Sequence, residues 1–228
     1  MRFFEPHESL KEFCKTSREY FFEGYRNIAR EAAEWFRLSE LSPGDRILEF
    51  GGGEGFISVF LSKLSPARFV YIDKNPLIAE LAVKNFGEAG MLERSEIMVC
   101  EVEKAEIPEN SVKFIVSRGT IQFTEYRKTL SNVVRWLAPG GIAFIGCGFG
   151  LNLTDEYRAK VNEFLAKKEK ENIDTQSDKF EEVMFEGYRH LIDNYFDDRL
   201  EYVKALNLNG FFFEIKKAGK PKTSAEKR

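Results

Sequence analysis

Apolar and polar positions recur with two different periods along the middle of the chain. Short apolar runs, which predict buried strands, are separated by stretches whose apolar side chains recur every three or four residues, as on one face of a helix. Strands and helices that alternate at this spacing predict right-handed crossovers and a mostly parallel sheet. The predicted strands are residues 46–50, 68–73, 95–100, 112–117 and 142–147, and the predicted helices are residues 56–64, a helix capped by Asn75, and residues 125–137.

Further elements are predicted on both sides of this α/β core. Residues 9–38 are predicted as one long helix, with Ser9 and Glu12 as a capping box and Gly24 as a point of bending. After the fifth strand, the pattern predicts two charged amphipathic helices and a hairpin, because Asn-Gly favours a type I′ turn between two strands. The helices are residues 154–172, capped by Thr154, and 177–196, capped by Ser177; the hairpin strands are residues 199–208 and 211–218, around Asn209-Gly210.

Length, charge and cysteine spacing narrow the class of protein. A chain of 228 residues is long enough for one compact domain with a buried core. The net charge of −3 lacks the excess of Lys and Arg that holds nucleic-acid phosphates, so nucleic acid is not expected as the main partner. The first residues contain no long apolar run, so we expect no secretory signal, no membrane insertion and a cytoplasmic location. Cys14, Cys100 and Cys147 lack zinc-ligand spacing, so we expect neither a metal site nor a disulfide framework.

A glycine-rich segment directly after the first predicted strand is the strongest chemical signal. Glu49, Gly51, Gly53 and Gly55 follow an E-x-G-x-G-x-G pattern. Glycine lets the backbone turn tightly and approach a ligand closely. The spacing excludes the G-x-x-x-x-G-K-[ST] loop that binds nucleoside triphosphates, and it departs from the G-x-G-x-x-G fingerprint of dinucleotide sites.

Together with later segments, this pattern resembles the class I S-adenosylmethionine-dependent methyltransferases, in particular the ubiquinone and menaquinone (type 11) group of small-molecule enzymes. The resemblance covers roughly residues 20–150 and the C-terminal hairpin. It implies an α/β fold, a Rossmann-like three-layer sandwich with a seven-stranded, mostly parallel sheet, a C-terminal antiparallel hairpin, an N-terminal helix and a helical insertion after strand five. The matching segments are residues 49–55, Asp73, residues 101–102, residues 108–113 and residues 137–141.

The resemblance also implies a single methyltransferase domain over residues 1–228. The expected parts are a helical cap at 1–40, a cofactor-binding core at 41–150, a helical insertion or lid at 151–197, a closing hairpin at 198–218 and a flexible tail at 219–228.

The implied cofactor is S-adenosylmethionine, with S-adenosylhomocysteine as the product, and carboxylates suit it. Asp73 is expected to accept both ribose hydroxyls, Glu49 to pair with the methionine ammonium, and Glu101 to accept from the adenine amino group. The plainer alternatives are a helix-capping Asp73, a Glu49 satisfied by loop amides, and a surface Glu101. The family closes an N-terminal helix over its cofactor, and here that helix carries Tyr20 and Tyr25. The expected cofactor-binding residues are therefore Glu49, Gly51, Gly52, Gly53, Gly55, Asp73, Lys74, Glu101, Val102, Ser117, Tyr20 and Tyr25.

Two places depart from the family pattern. Lys74 stands where the family has a hydrophobic residue after the ribose-binding acid, so no residue is assigned to stack on adenine. Residues 117–120, Ser-Arg-Gly-Thr, replace the Asn-Pro-Pro-Tyr of enzymes that methylate adenine or amide nitrogen. This replacement disfavours a nucleic-acid base or a glutamine as the acceptor.

No compulsory catalytic dyad is expected, because methyl transfer from a sulfonium needs a base only when the acceptor must lose a proton. The candidates are His190, which a plainer interpretation places on a helix surface, Tyr20, and Arg118. Arg118 follows the fourth strand, where ligands bind in parallel sheets, and is a candidate partner for a substrate carboxylate or phosphate, or for a structural ion pair. Either an acceptor pocket or a core-facing helix stripe accounts for the apolar residues of the insertion, which are Phe180, Met184, Phe185, Tyr188 and Phe196.

The sequence therefore predicts an S-adenosylmethionine-dependent methyltransferase with a small-molecule acceptor, compatible with a homodimer. Three alternatives stay open: aminopropyl transfer on the same scaffold, a non-catalytic module that binds the cofactor, and methyl transfer to protein or RNA. A fold does not identify a substrate, so the acceptor has to be argued from the site.

Overall fold

Seven strands form one sheet in the computed structural model, which describes residues 14–170, 177–196, 199–207 and 210–219. The strands are β1 (Arg46–Phe50), β2 (Arg68–Asp73), β3 (Ser95–Val99), β4 (Val112–Arg118), β5 (Leu137–Cys147), β6 (Leu200–Asn207) and β7 (Phe211–Lys217). Their order is β3-β2-β1-β4-β5-β7-β6, and β7 is antiparallel to both of its neighbours while the other pairs are parallel. The sheet and its C-terminal hairpin therefore agree with the predicted fold class.

Helices cover both faces of this sheet. In the described ranges the α-helices are α1 (Phe22–Trp35), α2 (Phe56–Ser62), α3 (Pro76–Glu88), α4 (Tyr126–Trp136), α5 (Asp155–Lys170) and α6 (Ser177–Tyr195). Successive residues of a strand face opposite sides, so Ile47 packs with α1, α2 and α3, whereas Leu48 packs with α4 and α6. Both side chains are fully buried, which confirms the three-layer sandwich.

The N-terminal helix differs from the single continuous helix that the sequence predicts. A π-helical turn, Ser17–Phe21, precedes α1, and the predicted capping residues Ser9 and Glu12 lie outside the described residues. Gly24 is buried, and its backbone N–H donates to the Tyr157 hydroxyl over 3.0 Å. A Cβ at this position would come within 2.8 Å of that hydroxyl, so the glycine permits a close approach of α5.

The predicted element boundaries hold best where capping residues mark them. The Asn75 side chain accepts from the N–H groups of Leu77 and Ile78, and Thr154 Oγ1 accepts from Tyr157 N–H at 3.1 Å. β5 begins at Leu137, five residues before its predicted start at 142, because Leu137 pairs with Val112 across a register shift. Asn209 and the Ser177 side chain lie outside the described residues, so the turn type and that cap stay predictions.

A buried carboxylate on α1 fixes the segment that follows β5. Glu31 is 1% exposed and accepts from the backbone N–H of Leu151 at 2.9 Å and of Asn152 at 2.8 Å. The Asn152 side chain adds a bond of 3.0 Å to the same carboxylate. The Tyr157 hydroxyl donates to Tyr20 O at 2.8 Å, so α1, the π-helical turn and residues 148–157 are held together.

Candidate active site at the carboxyl edge of the sheet

The glycine loop, residues 51–55, joins β1 to α2 in a conformation that suits glycine. Gly51, Gly53 and Gly55 have φ angles of 59°, 55° and 74°, in the left-handed region that other residues seldom adopt. Gly51 N–H donates to Ile72 O over 2.7 Å, so the loop continues the contact between β1 and β2. The loop backbone thereby lies at the carboxyl edge of the central strands, where parallel sheets bind ligands.

Side chains from β1 and β2 pack behind the loop. A Cβ at Gly52 would lie 2.6 Å from Tyr71 Cε2 and 2.9 Å from Glu49 Cδ. The Tyr71 hydroxyl donates to Gly53 O. Tyr71 and Glu49 thus support the side of the loop that faces the sheet, and the opposite side of the loop is left for a ligand.

Glu49 lies at the base of the loop with 2% of its surface exposed. Its Oε2 accepts from Ser58 N–H at 3.0 Å and from the Ser58 hydroxyl, in the first turn of α2. Burial raises the pKa of Glu49 to about 7, although the Ser58 bonds lower it. The structure therefore gives Glu49 a role in joining β1 to α2, and pairing with a cofactor ammonium stays a prediction.

Asp73 ends β2 next to the loop. Its Oδ2 accepts from Gly53 N–H at 3.1 Å, and its Oδ1 accepts from Asn75 N–H at 2.9 Å. Burial raises the pKa of Asp73, while these backbone N–H groups act in the opposite direction. Each carboxylate oxygen has more than one acceptor position, so both can still receive a ligand hydroxyl. Asp73 is thus bonded to the glycine loop, and its pairing with ribose hydroxyls stays a prediction.

The residues expected at the adenine end have different surroundings. Lys74 is exposed, and Glu101 is exposed and forms an ion pair with Lys104 at 2.6 Å. The hydrogen bond and charge of Lys104 lower the pKa of Glu101. Val102 is buried, and Cys100 N–H donates to Asp73 O over 3.1 Å, which ties this end of β3 to Asp73. A ligand amino group at Glu101 would compete with Lys104.

The end of β4 and the loop after it contact the glycine loop. Thr120 Oγ1 donates to Gly51 O over 3.1 Å. Ser117 is 1% exposed, and its Oγ has no hydrogen-bond partner among the described residues; Gln122 Oε1, also buried, is in the same condition. Buried polar atoms without partners are uncommon, so two of them within residues 117–122 indicate a place where a polar ligand completes the bonding.

Arg118 lies among aromatic rings on the α1 side of this edge. Its Cζ is 4.9 Å from the ring centroids of Phe21 and Phe149 and 5.2 Å from that of Tyr25. Its Nε donates to Gly148 O over 2.6 Å. The guanidinium therefore connects β4 with α1 and the segment after β5.

The two tyrosines expected over the cofactor lie in different surroundings. The Tyr25 ring stacks on Phe56, the first residue of α2, with centroids 6.1 Å apart. The Tyr20 ring packs on Phe164 of α5 at 4.8 Å, with Lys160 Nζ 5.8 Å from its centroid. Tyr25 thus lies beside the glycine loop, whereas Tyr20 faces the insertion.

His190 is not brought to the carboxyl edge of the sheet. Its Nδ1 is 3.2 Å from the Asn194 amide nitrogen, a donor, and its Nε2 is 3.3 Å from Ser131 Oγ on α4. An acceptor role for Nδ1 places the proton of the neutral ring on Nε2, so neither nitrogen keeps a free lone pair. Burial, followed by the charge of Arg127, lowers the pKa of His190. These contacts fit a residue that joins α4 to α6.

The other apolar residues of the insertion mostly face the core. Met184 is 3% exposed within the cluster under α6, and the Tyr188 ring lies 6.2 Å from that of Phe213. Phe185 is 64% exposed, Phe196 is also exposed, and the Phe180 side chain lies outside the described residues. The core-facing interpretation accounts for Met184 and Tyr188.

Several contacting residues were missed by the sequence reasoning. Glu54, inside the glycine loop, is 2% exposed and binds Arg18 Nη2 at 2.7 Å, while its Oε2 has no partner among the described residues. Ser58, Tyr71 and Thr120 also hold the loop. An acid within a glycine motif is visible in the sequence, but its pairing with Arg18 depends on the tertiary fold.

No cluster of His, Cys, Asp and Glu able to hold a metal ion occurs in the part of the chain that the structure describes. None of the described helices is both long and apolar enough to cross a membrane.

Sequence comparison finds a family match that includes the whole glycine motif. Residues 47–141 match the methyltransferase domain family. The chain is 27% identical to ribosomal protein arginine N-methyltransferase rmt3 of Schizosaccharomyces pombe, over 53% of this chain and 22% of that protein. It is 30% identical to the ubiquinone/menaquinone biosynthesis C-methyltransferase of Blochmanniella floridana, over 45% of this chain and 42% of that protein. The chain thus spans less than half the length of these curated relatives.

Structural comparison extends the likeness beyond the matched residues. A protein of Methanococcus maripaludis, described as a candidate S-adenosyl-L-methionine-dependent methyltransferase, superposes with a TM-score of 0.79 at 21% identity. The alignment covers 98% of this chain and 99% of that one. At this identity the likeness shows a shared fold. Together with the family match, it confirms the predicted resemblance to class I methyltransferases and the class of cofactor that such domains use.

Proposed function

Residues 47–141 match the methyltransferase domain family, and from this match we propose that the chain transfers a methyl group from S-adenosylmethionine to a small-molecule acceptor. The observation that carries the proposal is the placement of Asp73. Its carboxylate accepts from Gly53 N–H of the glycine loop and keeps acceptor positions for two neighbouring hydroxyls. A ribose presents such a pair of hydroxyls.

The residues at the carboxyl edge fit this cofactor. The left-handed glycines bring backbone close to a ligand, and Asp73 supplies acceptors. Ser117 Oγ, which has no hydrogen-bond partner among the described residues, is available for a further polar contact. When bound, the cofactor supplies a methyl group that a positively charged sulfur has already activated. The protein's own contribution is then to bind, orient and exclude water.

The arrangement of the described residues favours a reaction in which the protein positions the reactants and supplies no general base. His190 has both ring nitrogens engaged between α4 and α6, and the Tyr20 ring faces α5. A general base is needed only for an acceptor that loses a proton in the reaction. An acceptor that reaches the site with a lone pair or a carbanion in place suits this arrangement.

A small molecule is the acceptor class that we propose for three reasons. The net charge of −3 does not favour a polyanion, Ser117–Thr120 replaces the Asn-Pro-Pro-Tyr pattern, and the ubiquinone/menaquinone relative acts on a small molecule. The fission-yeast relative is named for a protein arginine acceptor, so protein is the competing class. A non-catalytic module, a homodimer and a cytoplasmic location stay predictions from the sequence.

Calorimetric titration with S-adenosylmethionine and S-adenosylhomocysteine, with NAD as a control ligand, tests the cofactor. We expect both sulfur ligands to bind and NAD not to bind. Asp73→Ala is expected to weaken binding at least about tenfold, or about 1.4 kcal/mol. Asp45→Ala is the matched control, because Asp45 also accepts a backbone N–H, that of Ser42 at 2.8 Å, but lies at the other end of β1. An unchanged affinity in folded Asp73→Ala would remove this residue from the site.

Formation of S-adenosylhomocysteine tests the reaction and separates the acceptor classes. Small acids and apolar ring compounds, an arginine-rich protein and a tRNA are offered in parallel to the purified chain. Turnover with a small molecule supports the proposal. Turnover only with the protein or the tRNA would rule out a small-molecule acceptor and assign that macromolecule as the acceptor class. Cofactor binding without turnover on any acceptor would favour the non-catalytic module.

A further inference from the structure

The Arg118 guanidinium has a free edge. Its Nε donates to Gly148 O over 2.6 Å, and the rings of Phe21, Tyr25 and Phe149 surround the group. Among the described residues, neither Nη1 nor Nη2 has a hydrogen-bond acceptor, and no carboxylate forms an ion pair with Arg118. Four N–H donors of a partly buried cation thus have no acceptor among the described residues.

Such a cation is suited to one kind of ligand. Aromatic faces attract a guanidinium but cannot accept its in-plane N–H groups. Two parallel N–H groups of an arginine match the two oxygens of a carboxylate or a phosphate. Because the Nε side is occupied by Gly148 O, the Nη edge is the one left for an oxyanion.

The position of Arg118 places this oxyanion beside the glycine loop. Gly119 N–H donates to Gly146 O over 2.7 Å, and Thr120 Oγ1 donates to Gly51 O over 3.1 Å, so the chain on either side is fixed to β5 and to the loop. Asp73 ends β2, and Arg118 ends β4, on opposite sides of β1 in the sheet. A ribose at Asp73 and an oxyanion at Arg118 would therefore flank the same loop from two sides.

We propose that Arg118 binds the carboxylate or phosphate of the methyl acceptor, so that the acceptor is a small anionic molecule. This inference rests on the proposed function and names the substrate class of the same site. The three rings around the guanidinium give the acceptor an apolar wall next to its charged group. The competing assignment, in which Arg118 holds the carboxylate of the cofactor, is an outcome of the test.

The test uses the full chain saturated with S-adenosylhomocysteine, with benzoate and inorganic phosphate as separate probes, followed by ligand-observed NMR at millimolar concentrations. We expect at least one probe to bind, and the preferred probe to tell a carboxylate acceptor from a phosphate acceptor. Arg118→Gln is expected to weaken that binding at least about tenfold while the affinity for S-adenosylhomocysteine stays within about twofold. Arg118→Lys keeps the charge without the planar fork, and is expected to weaken probe binding in the same direction as Arg118→Gln while the affinity for S-adenosylhomocysteine again stays within about twofold.

Arg127→Gln is the matched control, because Arg127 also lies over a ring, that of Tyr126 at 5.6 Å, but belongs to α4. It is expected to leave both affinities unchanged, and thermal unfolding checks that each variant is folded. Binding of neither probe to the loaded wild type overturns the inference, as does equal probe binding by wild type and Arg118→Gln. A loss of S-adenosylhomocysteine affinity comparable to the loss of probe affinity assigns Arg118 to the cofactor. Failure of the wild type to bind S-adenosylhomocysteine overturns the proposed function itself.

Discussion

At the scale of single residues, the two acids next to the glycine loop differ in their bonds and in their burial. Asp73 is partly exposed and is bonded to two backbone N–H groups, whereas Glu49 is 2% exposed and is bonded to Ser58. A buried carboxylate is costly to ionise, and burial raises the pKa of Glu49 to about 7. Near neutral pH, Glu49 therefore changes its protonation state within the folded protein.

Glu49→Gln is expected to remove a pH dependence of stability. The folded-state pKa lies above the ordinary value of 4.5, so the protonated carboxyl stabilises the fold below that value, and this contribution is lost as pH rises to about 7. At about 1.4 kcal/mol per pKa unit, the loss is up to about 3 kcal/mol. Urea unfolding at several pH values measures the free energy of unfolding. Parallel pH curves for wild type and Glu49→Gln in the absence of ligand would contradict this assignment.

Gly55 and Gly90 share a left-handed backbone but differ in their surroundings. The φ angle is 74° at Gly55 and 67° at Gly90. A Cβ at Gly55 would lie 2.5 Å from Phe86 Cε1, whereas at Gly90 it would meet nothing within 4 Å. We expect Gly90→Ala to cost about 1–2 kcal/mol for the backbone alone, and Gly55→Ala to cost about 1–3 kcal/mol more for the clash. Equal losses in urea unfolding would show that Phe86 moves aside freely.

At the scale of elements, the local sequence pattern predicted the boundaries of a strand or helix correctly where a turn or capping residue stands at its end. The sequence predicted residues 68–73 as a strand, and β2 spans Arg68–Asp73. The glycine loop and Asp73 were also identified from the sequence alone, because the spacing of residues along the chain is enough to recognise them. The Gly24–Tyr157 contact joins residues 133 positions apart, and no local periodicity encodes such a pairing. The Arg118 rings and the Arg18–Glu54 ion pair were missed for the same reason.

The tie between α1 and the segment after β5 depends on one carboxylate. Glu31→Ala leaves the N–H groups of Leu151 and Asn152 without their acceptor, and we expect a loss of about 2–3 kcal/mol. Hydrogen exchange at these two amides is expected to become faster. Glu34→Ala on the exposed side of the same helix is the control and is expected to change neither quantity. Equal exchange rates in both variants would mean that other contacts hold the segment.

At the scale of the whole molecule, the two tryptophans report on opposite faces of the sheet. Trp136 is fully buried in the cluster under α4 and α6. Trp35 is the last residue of α1 and is 38% exposed. Its ring lies 6.3 Å from that of Phe144, which packs on the opposite face of the sheet, in the same cluster as Ile47. A single folding domain requires both faces to lose their packing together.

Trp35→Phe and Trp136→Phe each leave one tryptophan and thereby separate the two faces. We expect the fluorescence transition of each variant to coincide with its own far-ultraviolet circular dichroism transition in urea. Coincidence supports the single domain predicted for residues 1–228. A fluorescence midpoint that differs from the dichroism midpoint in either variant would show that one layer unfolds before the other.

The strand order leaves one edge of β5 unpaired during translation, which creates a risk of aggregation. β7 lies between β5 and β6, yet it follows both along the chain. A nascent polypeptide therefore finishes β5 well before the strand that pairs with its outer edge has left the ribosome. Residues 142–147, Ile-Ala-Phe-Ile-Gly-Cys, are apolar, and an unpaired apolar edge is a template for aggregation. Until β7 (Phe211–Lys217) has been synthesised, this outer edge of β5 has no strand to pair with.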